Sequence, residues 1–464
     1  MIPYRQIQNA EHFDSPVSDE MAAALDLWGK MYIGKAPWLK DSGMKSLNLA
    51  PLICAELSRQ VTMEMKWSIT GSKRAEYLSE QLVHCTGAVL REKTEQGMAA
   101  GGMVIKPCPK DDSIFFDFVP DWCIYPVSFD GSGRMTDVIF RDSYRDGDIY
   151  YTRLERHAVS GEDVIITQRC FRSRDPDVPG AECPLSSVPL WSALEPELTV
   201  TGTGGRPLFG WYRVAASNTV DVDSVLGASV YARAVGCIRD ADEQYSRLMW
   251  EYEAKETAID VDPTALLPKD IKGADGSRYV MPKLNERLFR AVDLGTDETY
   301  RVFDPPIRDV SLMNGLNAVL CRIEDLCGLA RGTLSDPSAQ AMTATQILIL
   351  KQRTYETIKA NQQALEQCLR DVIHAADVYA DALGLAPPGD MEISFEWDDS
   401  VAVDTGQELD QRLRLVSAGA MSKAELRSWY LGETPEQADE AVRKISRERL
   451  TDMAAAFGGS GADT

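Results

Sequence analysis

Four short strings in this 464-residue sequence carry residue types that could bind or react. Gly202-Thr203-Gly204-Gly205 is rich enough in glycine to lay backbone amides around a phosphate. It lacks the Lys-Ser/Thr of a phosphate-binding loop and no amphipathic helix comes after it, so a turn is the better reading. Asp221-Val222-Asp223 and Asp260-Val261-Asp262 each set two carboxylates on one face of an extended segment, as cation ligands sometimes are. No partner carboxylate or histidine cluster lies nearby in sequence, and a solvated joint or cap accounts for them better. Asp398-Asp399, near a strand end, has the same weakness. The ten cysteines, Cys54, Cys85, Cys108, Cys123, Cys170, Cys183, Cys237, Cys321, Cys327 and Cys368, contain no C-x-x-C pair. Only four histidines exist, His12, His84, His157 and His374, too few and too scattered for a zinc site. The thiols read as small core residues in a reducing compartment. No G-x-S-x-G elbow, H-E-x-x-H helix or cysteine-centred catalytic signature occurs. No metal, no cofactor and no enzymatic activity is expected.

The totals point the same way. A net charge of -22 would repel DNA at long range, which argues against tight phosphate gripping and leaves open a surface that DNA slides past. With 44% hydrophobic and 26% charged residues the composition is that of a folded protein of two to four parts. No stretch approaches the roughly 20 apolar residues of a membrane span. Met1-Ile2-Pro3-Tyr4 lacks the apolar run of a signal peptide, so the chain is expected to be made and used inside a cell.

Helices are predicted over Ser18–Tyr32, over Asn48–Met65 behind an Asn48 cap, and over Lys73–Lys93 through Leu78, Leu82, Cys85 and Val89. Glycines at 97, 101 and 102 end that block. From Met103 to about Arg213, runs such as Ile114–Val119, Val138–Phe140, Ile149–Thr152 and Val164–Ile166 alternate with turn signals and predict a mostly antiparallel sheet. Ser217–Ser224 reads as a polar joint. Helix returns near Ser229, with Val230, Ala234, Ile238, Ala241, Tyr245, Leu248 and Tyr252 as one stripe and Asp240, Asp242, Glu243, Arg247, Glu251 and Glu253 on other faces. Residues from about 258 to 306, broken by Pro and Gly, form a small inserted module.

Leu312–Leu329 is helical and then stops at Arg331-Gly332-Thr333-Leu334-Ser335-Asp336-Pro337-Ser338-Ala339-Gln340-Ala341, because Gly332 and Pro337 oppose continuation. Thr343 fits an N-cap with Gln346 three residues on, the spacing of a capping box. A helix of about forty residues runs from there to near Leu383, far beyond the usual 11–12. Its middle, Lys351–Gln363, has few apolar residues and needs neighbours to be stable. After Pro387-Pro388-Gly389, Met391–Trp397 alternates like a strand. Three capping-box patterns, Thr405 with Glu408, Ser422 with Glu425 and Thr434 with Gln437, mark a helical C-terminal part before a frayed tail at Ala454–Thr464.

Six strings in order resemble the portal proteins of tailed phages, the SPP1-type group. They are Tyr151-Thr152-Arg153-Leu154-Glu155-Arg156-His157, Pro207-Leu208-Phe209-Gly210-Trp211-Tyr212-Arg213, and Leu226-Gly227-Ala228-Ser229-Val230-Tyr231-Ala232. Asp304-Pro305-Pro306-Ile307-Arg308, Thr343-Ala344-Thr345-Gln346, and Ala418-Gly419-Ala420-Met421-Ser422 with Tyr430-Leu431 and Glu436-Gln437-Ala438 complete the series. Gln346 stands where that family usually has Glu; it keeps the capping role and drops a carboxylate near the helix N-terminus, a loss of a few tenths of a kcal/mol.

The resemblance implies an α+β, mainly helical portal fold with wing, stem, clip and crown, and an antiparallel β region in the wing. It implies a wing at 1–225, stem helices at 226–256 and 311–330, a clip at 257–310, and a tunnel loop at 331–341. The long helix and return strand would occupy 342–399, and the crown 400–464. Gly332, Thr333, Leu334, Ser335, Asp336, Pro337, Ser338 and Gln340 would then face DNA. The implied assembly is a homododecameric ring at the head vertex of a virion, built in the host cytoplasm. Its implied partners are the terminase large subunit, head-completion or adaptor proteins, major capsid and scaffolding proteins, and double-stranded DNA passing without sequence readout; no membrane is involved. The competing readings are another head-tail connector or minor capsid protein and, from a different class, a phage DNA-processing enzyme.

Overall fold

Capping chemistry opens the first helices. After α1 (Tyr4–Glu11), which buries Ile7, the Ser18 hydroxyl accepts from the Met21 amide and starts α2 (Asp19–Tyr32), with Asp19 and Glu20 favourably placed in its first turn. The computed structural model that shows this describes residues 2–40, 43–63, 65–110, 112–261, 271–272, 278–279, 288–292, 300–336, 344–397 and 405–457. Asn48 does not cap α3 (Leu49–Thr62) as predicted: it adopts a left-handed φ of 52° and makes no side-chain cap bond. That helix stops at Thr62, and a short strand that the pattern missed, β1 (Lys66–Thr70), comes next.

The single helix predicted to Lys93 is two. Ser72 caps α4 (Lys73–Leu82), a tight turn at Val83–Cys85 closes it, and Gly87 at φ 71° resets the phase before α5 (Ala88–Ala100). The reset leaves Val89 exposed rather than on the buried stripe. Gly97 lies inside α5, where a Cβ would meet the Met103 side chain at 3.0 Å; its absence lets strand and helix pack closely.

The chain then runs through β2 (Gly102–Lys110), β3 (Ser113–Pro120), β4 (Ile124–Phe129), β5 (Met135–Asp146), β6 (Ile149–Ser160), β7 (Asp163–Ser173), β8 (Ala181–Cys183), β9 (Glu197–Val200) and β10 (Gly210–Arg213). Strands β4 to β8 pair in sequence order, β9 joins β7, and β10-β2-β3 form a second sheet; every pairing in both is antiparallel. Period-two alternation decides the packing. On β5, Val138 and Phe140 meet Val104, Val119 and Phe209, while Ile139 joins Leu154, Phe171 and Ile7 of α1.

A 3-10 turn at Ala232–Ala234 leads into α6 (Val235–Ala254), so the helix begins later than predicted. Ile238, Ala241 and Leu248 are buried as expected, but Tyr252 is exposed. Asp242 and Glu251, assigned to the solvated faces, are buried instead. The Asp242 carboxylate accepts from Trp38 Nε1 at 2.9 Å and the Leu47 amide at 2.8 Å, and Arg308 donates to Glu251 at 2.9 Å. Periodicity could not find them, because their partners lie elsewhere in the chain. The inserted module contains β11 (Ala258–Val261), β12 (Ile271–Lys272), β13 (Arg278–Tyr279), β14 (Phe289–Ala291) and β15 (Tyr300–Phe303). Strand β11 pairs parallel with β14 and antiparallel with β15.

Next come α7 (Asp309–Cys327), which packs along α6, α8 (Ala344–Ala382), and β16 (Glu392–Glu396), whose partner is β1. The second half of α8 is the spine of the unit Met1–Glu396, with Leu365, Cys368, Leu369, Val372, Ile373, Ala376 and Tyr379 buried. Strand β10 crosses it at Gly210, where a Cβ would lie 2.1 Å from the Cys368 carbonyl oxygen; only glycine permits that approach.

The unit Trp397–Thr464 holds α9 (Thr405–Ser417), α10 (Lys423–Leu431) and α11 (Pro435–Phe457). The Ser422–Glu425 capping box forms in both directions, and Thr434 with Gln437 exchanges the same pair of bonds. Of the Thr405–Glu408 pattern, both side chains lie outside the described residues. Helix α11 reaches Phe457, so residues 454–457 are helical rather than tail.

One buried carboxyl makes the fold pH-sensitive. Asp121 is fully buried with Oδ1 accepting from Trp211 Nε1 at 3.2 Å, while Oδ2 has no hydrogen-bond partner and lies 2.5 Å from where a Cβ on Gly102 would sit. Burial pushes its carboxyl up to about 8 despite the Trp211 hydrogen bond and the Arg213 charge. The folded value lies above the unfolded one, so this contribution is complete below about pH 3.8 and is lost as pH rises towards 8. Asp121→Asn keeps the acceptor for Trp211 and removes the titration. Thermal unfolding is expected to show it matching the parent near pH 4 and exceeding it at pH 8.5 by on the order of a few kcal/mol. Parallel pH profiles for the two proteins would exclude a neutral Asp121.

Candidate functional site: the break between α7 and α8

Helix α7 ends because Gly328 takes a left-handed conformation, φ 72°, and its amide returns to the Glu324 carbonyl. The Leu329 amide reaches the same oxygen at 2.9 Å, a double closure that terminates a helix decisively. A Cβ on Gly328 would lie 2.7 Å from Thr357 Oγ1 of α8, so the turn presses against the long helix.

Side chains of α7 fasten the stretch beyond this turn, Glu324 foremost. Glu324 is fully buried. Its Oε1 accepts from the amides of Leu334 at 2.5 Å and Ser335 at 2.9 Å, and its Oε2 accepts from Ser335 Oγ at 2.8 Å. Ser335 Oγ in turn accepts from the Gly332 amide at 3.1 Å. The Thr333 hydroxyl donates to the Ala330 carbonyl at 2.6 Å, and the Asp336 amide donates to Asn317 Oδ1 at 2.7 Å. Three donors thus satisfy a buried acceptor group that would be costly to leave unpaired.

Arg331 pairs with Asp325 of α7 at 2.9 Å. Ser335 is buried against Glu324, Gly332 and Leu334 are half-buried, and Thr333 and Asp336 are exposed. Residues 331–336 are thus an anchored turn. Pro337, Ser338, Gln340 and Thr343 lie outside the described residues. Ala344, Thr345 and Gln346 form the first turn of α8, and their side chains lie outside the described residues too, so the Thr343–Gln346 box is not described. Sequence reasoning missed Glu324. The signal was an acid on the apolar stripe of α7, beside Ile323 and three residues before Cys327.

The sparse middle of α8 is also partly covered within the chain. Asn361 is buried, its Oδ1 accepting from Tyr212 Oη at 2.8 Å and the Ala215 amide at 3.1 Å. Gln362 is buried and donates to the Val61 carbonyl at 3.3 Å. Polar pinning does here what apolar residues do further along.

The other candidate strings resolve into structural roles. Gly202, Gly204 and Gly205 all have positive φ, and the Thr203 amide and hydroxyl donate to the Glu162 carbonyl at 3.1 and 2.8 Å, which makes a turn. Ser18 donates to Asp221 at 2.6 Å, and Asp260 pairs with Arg290 at 2.7 Å. Asp262, Asp398 and Asp399 lie outside the described residues. A buried charge cluster went unseen: Lys106 donates to Glu155 at 2.8 Å, Arg153 lies 3.2 Å from Glu155, and His157 Nε2 lies 2.7 Å from Glu155. Burial pushes the Glu155 carboxyl up, but Lys106, His157 and Arg153 outweigh this and hold it well below the usual range. Burial pulls His157 below its ordinary value against the opposing pull of Glu155, which favours a neutral ring.

Glu324→Ala leaves the Leu334 and Ser335 amides without their acceptor. Hydrogen exchange at those two amides is expected to rise about 10-fold or more, with α5 and β5 unchanged. Unchanged protection at 334 and 335 would show that another group holds the turn.

Among solved structures, the chain is similar to one described as the virion of the native gene transfer agent particle. That match has 12% identity and a TM-score of 0.45, covering 94% of this chain and 100% of the other. It is also similar to one described as the neck of the native gene transfer agent particle computed with C12 symmetry. There the identity is 12% and the TM-score 0.38, covering 91% of this chain and 97% of the other. No curated protein matches the sequence. Residues 231–452, which run from just before α6 into α11 and include the anchored break, match the family described as phage portal protein, SPP1 Gp6-like.

Proposed function

We propose that this chain builds the ring through which double-stranded DNA enters and leaves the head of a phage-type particle. In this reading twelve copies surround a central channel at one vertex of the virion. The ring docks the terminase large subunit during packaging, contacts capsid and scaffolding proteins during assembly, then binds head-completion proteins that join head to tail. The observation that carries it is the family match over residues 231–452, which spans two packed helices, the break between α7 and α8, and the long helix after it. Residues 1–225 serve as wing, α6 and α7 as stem, 257–310 as clip, 331–341 as tunnel loop, and 400–464 as crown.

Two physical features support the reading. Trp250 on α6 and Val310 and Met313 on α7 are large apolar side chains that a single copy leaves more than half exposed; a neighbouring copy in a ring would cover them. The net charge of -22 disfavours gripping of phosphates, which suits a conduit that must let DNA slide. The role is structural, and the anchored turn 331–336 is the described part of the tunnel loop, which in this reading faces DNA.

Negative-stain microscopy of the purified protein is expected to show rings with a central hole. A monomer at high concentration across salt conditions would overturn the ring. Deleting residues 337–341 leaves the Glu324 bonds to residues 334 and 335 in place, and is expected to spare ring assembly while reducing nuclease-protected DNA in particles. Normal packaging and retention by that deletion would remove the tunnel-loop role while leaving the ring intact.

A further inference from the structure

Ten cysteines are spread through the chain, and two of them meet across a strand pair. Cys170 on β7 and Cys183 on β8 are register partners in antiparallel pairing. Their sulfurs are 3.4 Å apart, the Cys183 thiol donating toward Cys170. Cys170 is buried against Val188 and Trp191, with Cys183 and Leu185 packed on the same cluster. Cys183 is only half-buried, so one sulfur of the pair is within reach of solvent. Directly opposed residues in antiparallel strands hold their Cβ atoms about 4.5–5.5 Å apart, close to the roughly 3.5–4.5 Å that a disulfide spans. A small closing movement is enough.

The location gives the bond a consequence. Strand β8 is three residues long, stands at the end of the sheet order, and is tied to β7 by three register pairs and the Arg169–Glu182 ion pair at 2.8 Å. The segment after it carries Leu190, 74% exposed. So short an edge strand opens easily, and the Leu190 segment opens with it.

We propose that Cys170 and Cys183 form a dithiol site that a low-molecular-weight disulfide, of the glutathione disulfide class, converts to an intrachain disulfide that locks β8 onto β7. In the first step the Cys183 thiolate attacks one sulfur of the oxidant. The oxidant's S–S bond breaks, one glutathione thiolate leaves and takes up the proton that Cys183 gave to solvent, and Cys183 carries a mixed disulfide. Cys170 then loses its proton to solvent, and its sulfur attacks Cys183 Sγ. The second glutathione leaves as thiolate and is protonated. Two protein thiols are oxidised by two electrons, and one small disulfide is reduced to two thiols. Burial, with the Cys183 contact adding to it, pushes the Cys170 thiol up to about 12. The closing step therefore speeds up as pH rises. The dithiol form is the stable one in a reducing cytoplasm, and the disulfide forms where oxidising conditions prevail.

The test uses the reduced full-length protein, incubated with glutathione disulfide at pH 7 and 8.5, alkylated and mapped by mass spectrometry. The expected product is one cross-linked peptide joining Cys170 to Cys183, lighter by two hydrogen atoms and formed faster at the higher pH. Chymotryptic cleavage at Leu190 is expected to slow several-fold in the oxidised protein. Cys183→Ser, at the half-buried position, removes the cross-link and the protection while keeping the parent's circular dichroism; Cys183→Ala serves if the serine variant does not fold. A lasting glutathione adduct on Cys183 with no cross-link, a cross-link between other cysteines, or no reaction at Cys183 under conditions that oxidise the unfolded chain would each overturn the site.

Discussion

The apolar second half of the long helix is the constraint around which the unit Met1–Glu396 is arranged. Leu365, Leu369, Val372, Ile373, Ala376 and Tyr379 leave water together, and β2, β10, α3 and α4 all pack on that helix to make this possible. Hydrophobic burial has no direction of its own, so the geometry is set by the groups that can approach closely. Gly210 brings the β10 backbone against the Cys368 carbonyl, and Gly97 lets Met103 settle on α5. The fully buried Arg74 then ties the helix end, donating to the Asp377 carboxylate at 2.8 Å and to the Ala386 carbonyl at 2.6 Å.

The same helix begins on the far side of a deliberate interruption. Gly328 ends α7, and the Glu324 carboxylate then holds the amides of residues 334 and 335, so the chain leaves the helix along a fixed path. A buried carboxylate with unmet hydrogen bonds would be costly, whereas one with three donors is strongly held. Residues 331–336 are thereby held against α7.

Buried polar groups recur where sheets and helices join. Asp242, within α6, receives the Trp38 indole and the Leu47 amide, Asn361 pins the chain after β10, and Glu155 on β6 gathers Lys106, Arg153 and His157. Such groups add little net stability compared with well-packed apolar residues, but they penalise any misregistered packing that would leave one unpaired. The Asp242 and Asn361 bonds join segments far apart in sequence, which fits a chain whose first and second helical blocks must find each other across a whole sheet.

Local chemistry, read along the chain, is enough for the elements that answer to it. Ser18, Ser72 and Ser422 cap helices because a hydroxyl needs only the amide three residues on, and alternation of β-branched and aromatic residues placed β5, β6 and β7. The restart near Thr343 was legible for the same reason, and so were the family strings that flank the break; the stop falls earlier than Gly332, at the left-handed Gly328. The β1–β16 pairing spans more than three hundred residues, and the roles of Glu324, Asp242 and Asn361 depend on donors brought from other segments. The phase reset at Gly87 depends on packing of both flanking helices. Sequence by itself determined that the long helices are interrupted, since breakers and caps act within one turn. Only the tertiary structure decided that the interruption is anchored and that Ser335 turns inward, because a buried carboxylate acquires its meaning from the partners that folding delivers.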